Sequence, residues 1–148
     1  MFRTIVWATD GSEAADLALP FAKALAEGEG RSLIAAHSKE RFVGGGRGAS
    51  YPVLADEDEL EAKIQAQVEE VRKEGFDAEF RLISGAAGNV AHMIADVAEE
   101  VGADVIVVGT RGHSTVVGLL LGSVTQRLLH VAPCPVLAVP AGDAGTES

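Results

Sequence analysis

Cysteine is almost missing from this chain: Cys134 is the only one in 148 residues. That excludes an internal disulfide and any zinc site built on several cysteines. Positive charge is scarce as well, with 12 Lys and Arg against 22 Asp and Glu and a formal charge of −10. Nucleic-acid binders need a cationic stripe to meet phosphates, so no nucleic-acid partner is expected. No apolar run approaches the ~18 residues that span a bilayer, so no membrane partner is expected either. The segment Met1 to Ala8 meets Asp10 and Glu13 too soon to hold a signal-peptide apolar core. These absences together predict a cytoplasmic protein. What is present, 47% hydrophobic and 23% charged residues, is a globular composition. A chain of this length suits one domain that buries roughly 70% of its unfolded surface. That domain is expected over residues 1–141, followed by a loose tail over 142–148.

Short apolar runs alternate with amphipathic stretches. Arg3 to Ala8 reads as a strand and stops at Thr9-Asp10-Gly11-Ser12. Ser12 is a plausible N-cap, with Glu13 and Asp16 in the first turn where the helix dipole favours anions. Ala14, Leu17, Ala18, Phe21, Ala22 and Leu25 then recur at helical spacing, up to about Gly28. Pro20 falls within that run and should kink the axis. Leu33 to Ser38 is a second strand. Asp56 to Glu74 is the clearest helix, with Leu60, Ile64, Val68 and Val71 on one stripe. Phe76 to Ser84 alternates as a third strand, Phe76, Ala78, Phe80 and Leu82 sharing one face. Val90, Ile94, Val97 and Val101 mark a third helix closed by Gly102. Asp104 to Gly109 holds Val105-Ile106-Val107-Val108, apolar on both faces as a central parallel strand must be. Gly122 to His130 is a fourth helix with Val124, Leu128 and Leu129 inward, and Val136 to Val139 is the last strand. The β-α-β alternation implies right-handed crossovers and a parallel, three-layer α/β sandwich.

Ligands of open parallel sheets bind beyond the carboxyl ends of the strands. Asp10 falls at such an end. It either bonds its own backbone in a strand-to-helix turn, or presents a carboxylate to a ribose hydroxyl or a metal ion. A second feature is Gly109-Thr110-Arg111-Gly112, nine residues, then Gly122-Ser123. The two leading glycines bracket a bend where backbone approaches something closely. Gly122, Ser123 and Val124 open a helix, so their amides lack intrahelical partners. A polyphosphate can take those amides and lie against the helix dipole, with Ser123 adding a hydroxyl and Arg111 and His113 adding donors from the same loop.

On these residues the chain resembles the universal stress protein family, in its nucleotide-binding branch. That branch's Gly-x2-Gly-x9-Gly-Ser/Thr signature stands here as Gly109, Gly112, Gly122 and Ser123. The likeness extends to the opening strand ending in Asp10-Gly-Ser, to Gly-Ala-Asp-Val-Ile-Val-Val-Gly before the loop, and to Pro133-Cys134-Pro135-Val136-Leu137-Ala138-Val139. The resemblance implies a Rossmann-like, adenine nucleotide alpha hydrolase-like sheet ordered 3-2-1-4-5, with Asp10 and Gly109 flanking one crevice. It also implies ATP, with Mg²⁺, as ligand. Asp10 would lie near the ribose or the metal, with Thr9 beside it, and the backbone of Ser38 would face the adenine. A homodimer through the last strand, Pro135 to Val139, is implied too, and an apolar edge strand needs covering. Two departures stand out: Ser38 follows His37 where the family often has Val, and Asn89-Val90 follows Gly88 where it often has Pro.

Other chemistries fit less well. Gly44-Gly45-Gly46-Arg47-Gly48 has no Gly-x-x-x-x-Gly-Lys pattern and no helix directly after it, and reads as a surface loop. A phosphoaspartate enzyme needs a second acid two residues from Asp10, where Ala8 and Ser12 stand. No two of His37, His92, His113 and His130 share a metal-binding spacing, so each reads as solvated or structural, with His113 set apart by its loop. Thr115 to Leu121 is apolar for a loop and is expected to pack on the sheet end, ahead of the alternatives of a dimer contact or a lid over the nucleotide. The expected role is a nucleotide-dependent regulatory or stress-response module. The alternatives are an ATPase or phosphotransfer enzyme, slow because no general base is positioned for it, and a dimeric interaction protein without nucleotide.

Overall fold

The structure, a computed structural model, describes residues 2–41, 53–86, 89–110 and 123–140. Among them the elements run β1 (Thr4–Ala8), α1 (Glu13–Leu25), β2 (Ser32–Arg41), α2 (Val53–Lys73), β3 (Asp77–Ala86), α3 (Val90–Val101), β4 (Val105–Gly109), α4 (Ser123–Val131) and β5 (Val136–Val139). The five strands form one sheet, all parallel, in the order β3-β2-β1-β4-β5. This is the Rossmann-like arrangement expected.

Strand alternation divides the core in two. Ile5, Trp7, Leu33, Ala35, Val105 and Val107 point to one face, where Ala18 and Ala22 of α1 and Ile64, Val68 and Val71 of α2 cover them. Val6, Ala8, Ile34, Ala36, Ile106 and Val108 point to the other, under Ala91, Ile94, Ala95 and Ala98 of α3 and Leu128 of α4. β4 is buried along its whole length, as its unbroken apolar run requires.

The differences from expectation are instructive. The α1 stripe that meets the sheet is alanine, at positions 14, 15, 18 and 22, while Leu17 and Phe21 are 46% and 51% exposed. Small residues let the helix axis approach the strands closely and push the large members of the run to the flank. α1 continues through Pro20 and stops at Leu25, with Ala26 as C-cap, short of Gly28. Leu129 likewise faces out at 52% exposure, leaving Leu128 and Thr125 as the buried face of α4. β2 and β3 run on to Arg41 and Ala86 because they pair with each other from Ser32↔Asp77 to Arg41↔Ala86. Strand pairing is a non-local contact that a polar stretch such as Lys39-Glu40-Arg41 does not announce. α2 begins at Val53, three residues before the expected Asp56.

Candidate functional site

β1 and β4 are neighbours, with Ala8 beside Val108. From β1 the chain leaves for α1 on one face, and α4 packs on the opposite face. The strand order reverses between β1 and β4, the place where open parallel sheets commonly take a ligand.

The turn is bonded at several points. The Thr9 amide donates to the Ala36 carbonyl at 3.0 Å, extending the β1–β2 ladder by one rung. The Gly11 amide donates to Thr9 Oγ1 at 3.0 Å. Asp10 Oδ1 accepts the Ser12 amide at 3.0 Å and the Ser12 hydroxyl. Ser12 Oγ in turn accepts the Ala15 amide at 3.3 Å and caps α1, as its sequence position predicts. The self-bonded reading of Asp10 is therefore the geometry seen. Gly11 has φ +81°, and an added Cβ would lie 2.6 Å from Leu60 Cδ2. α2 thus presses directly on this turn.

Three side chains hold the turn from outside. His37, in β2 one residue beyond the Ala36 that pairs with the end of β1, places Nδ1 3.0 Å from the Thr9 carbonyl oxygen and Nε2 2.7 Å from Glu57 Oε2. Lys63 Nζ donates to the Gly11 carbonyl at 2.8 Å and to Asp16 Oδ2 at 2.8 Å. The Trp7 indole donates to the Ala15 carbonyl at 3.0 Å, tying β1 to the first turn of α1. On the β4 side, the Thr125 hydroxyl donates to the Gly109 carbonyl at 2.7 Å and brings the start of α4, with Ser123 and Val124, to the strand end. A Cβ on Gly109 would lie 2.7 Å from the Ala14 carbonyl oxygen, so the close approach inferred for this glycine is to α1. Ser38 Oγ is buried and has no hydrogen-bond partner among the described residues.

Thr9, Asp10, Gly109, Ser123 and Val124 are accordingly gathered at the β1/β4 end, and Ser38 lies one strand away on β2. Arg111, Gly112, His113 and Gly122 lie outside the described residues, as do Gly44 to Gly48, Thr115 to Leu121 and 142–148. Glu57, Lys63 and Thr125 escaped sequence reasoning. The available signal was slight: Thr125 is a polar residue on the buried stripe of Leu128, and Glu57 and Lys63 bracket Leu60 on one side of α2. Of the solvated and structural readings open for His37, the buried ring bonded at both nitrogens is the structural one.

The model of the Universal stress protein family matches residues 1–140. A universal stress protein of Thermus aquaticus is 37% identical over 147 residues, covering 94% of this chain and 99% of its own. One from Methanocaldococcus jannaschii is 30% identical over 154 residues, with 94% and 95% covered. Its solved structure superposes with a TM-score of 0.70 over 95% and 96% of the two chains. A solved universal stress protein in complex with cAMP is 29% identical, with a TM-score of 0.63 over 95% of this chain and 98% of that one.

Proposed function

This chain belongs to the universal stress protein family, and from that premise we propose that it binds an adenine nucleotide, ATP with Mg²⁺, in the crevice between β1 and β4. The observation that carries the reading is the junction of Thr9-Asp10 with the start of α4 at one strand-order reversal, latched by Thr125 on Gly109. The cAMP complex of a relative supports a nucleotide as the ligand class.

The residues suit that group. The first amides of α4, at Ser123 and Val124, have no intrahelical acceptor and point out of the helix toward an anion. Gly109, Arg111, Gly112, Gly122 and the Ser123 hydroxyl complete a cradle around the phosphates, with His113 in the same loop. Mg²⁺ is commonly held by one or two carboxylates with phosphates and water, and Asp10 is the carboxylate at the rim. The metal's contribution would be to neutralise phosphate charge. Thr9 lines the ribose side, and the backbone of Ser38 faces the base, where its orphaned hydroxyl gains a partner. Binding rather than turnover is the role, serving a nucleotide-dependent regulatory module of the cytoplasm. Two copies pair through Pro135 to Val139: β5 is a sheet edge carrying Leu137, 37% exposed, and the exposed Phe21 of α1 and Leu129 of α4 stand on the two helices that flank it.

Calorimetry with ATP and Mg²⁺ tests the site. Gly122→Val should abolish binding while leaving ligand-free thermal stability nearly unchanged; binding that survives this change refutes the cradle. Sedimentation at micromolar concentration tests the dimer, which a purely monomeric boundary would contradict.

A further inference from the structure

His37 is 2% exposed and uses both ring nitrogens. Its Nδ1 faces the Thr9 carbonyl at 3.0 Å and its Nε2 faces Glu57 Oε2 at 2.7 Å. A carbonyl oxygen only accepts, so Nδ1 carries a hydrogen. A neutral imidazole has one N–H, which leaves Nε2 as a bare acceptor. Two acceptors at 2.7 Å repel each other. Both contacts therefore coexist only when the pair holds one proton more than a neutral imidazole and a carboxylate, placed on Nε2 or on the Glu57 carboxyl.

We propose that His37 and Glu57 are a proton-holding positioning pair for the nucleotide site. The shared proton lets α2 grip the Thr9 carbonyl and so fixes the turn that presents Asp10. This deepens the nucleotide reading and rests on it. When the proton leaves, one of two things happens. Either Nε2 meets the carboxylate as a bare acceptor, or the tautomer changes and a bare Nδ1 meets the Thr9 carbonyl. One contact opens in both cases, and the turn keeps only Leu60 and Lys63 from α2. Among the described residues, the charged side chains whose hydrogen bonds tie them to the pair or to the turn it holds are Asp10 of the turn, Asp16 of α1, and Glu57 and Lys63 of α2. β3 brings apolar Leu82 to the rung of His37.

Glu57→Gln separates this pair from ordinary packing. Its amide N–H donates to the bare Nε2 of neutral His37, restoring both contacts with no extra proton. We expect ATP–Mg²⁺ affinity of the unaltered protein, divided by that of Glu57→Gln, to fall about tenfold as pH is raised across the range in which the fold persists. The ratio cancels the titration of the ligand's own phosphates. Glu57→Leu should bind about tenfold more weakly than either at the low end. Parallel pH profiles for the unaltered and Gln proteins would overturn the proposal. If neither binds nucleotide, the nucleotide reading fails by itself, and ligand-free NMR decides the pair. Gly11 and Ser12 amide shifts that titrate together with the His37 ring, and lose that titration in Glu57→Gln, support it. Amides indifferent to the ring overturn it.

Discussion

The two ends of β1 solve one problem in opposite ways. A strand end leaves backbone groups that need partners. At the start, the Arg3 and Thr4 amides donate to Asp104 Oδ2 at 2.8 and 3.0 Å, and the Asp104 amide donates back to the Thr4 carbonyl at 2.8 Å. That clasp lies at the surface, where water competes for every member. At the far end, the Thr9 carbonyl is held by a buried histidine seated on a nearly buried glutamate, and the Gly11 carbonyl by Lys63. The first clasp relies on a carboxylate contributed by the residue that precedes β4. The second relies on one proton and on a helix that arrives some forty residues later. The start of β1 is finished by an exposed carboxylate; the end that leads into the Thr9 turn is held by a buried histidine and by a lysine of α2.

Three changes would break or sharpen that contrast. The largest effect is expected from His37→Leu, which strands the Thr9 carbonyl and the Glu57 carboxylate together in the interior. It should cost about 3 kcal/mol, read as a lowered urea midpoint. Gly11→Ala comes next. It forces a side chain into a left-handed backbone and against Leu60, at about 2 kcal/mol in the same assay. A loss there equal to that of an exposed-loop substitution would show that α2 does not press on the turn.

Asp104→Asn should be the mildest, and it carries a sign. Hydrogen bonds from the Thr4 amide and then the Arg3 amide hold the Asp104 carboxyl below the usual carboxylate range. A carboxyl lowered in the folded state stabilises above its unfolded pKa, and that contribution is lost as pH falls through the folded value. The stability advantage of the unaltered protein over Asp104→Asn is thus expected at neutral pH and should vanish in strong acid. An advantage that grew on acidification would reverse the assignment.

Much of this arrangement is legible in the chain. Ser12 announces its cap, Val105 to Val108 announce a strand buried on both faces, and the Ile64, Val68 and Val71 stripe announces the helix over them. Such features depend on residues a few positions apart, where periodicity carries the information. The site divides along the same line. Asp10 and the glycine spacing are readable because they sit at the ends of readable strands. The His37–Glu57 contact spans twenty residues, and the Thr125–Gly109 latch sixteen; neither has a local signature. Leu17, Phe21 and Leu129 illustrate the converse error: helical spacing includes them in a stripe, but only the packed sheet determines which side of the stripe is covered.

Composition and pattern by themselves determined the alternating elements, their polarity and the parallel layers, because each follows from the chain's own period of burial. Only the assembled tertiary structure decided that alanines form the inner ridge of α1, that Gly109 makes room for the Ala14 carbonyl, and that α2 reaches across to hold the turn at Thr9. Those outcomes depend on distances between segments far apart in sequence, and such distances exist only once the sheet has closed its register.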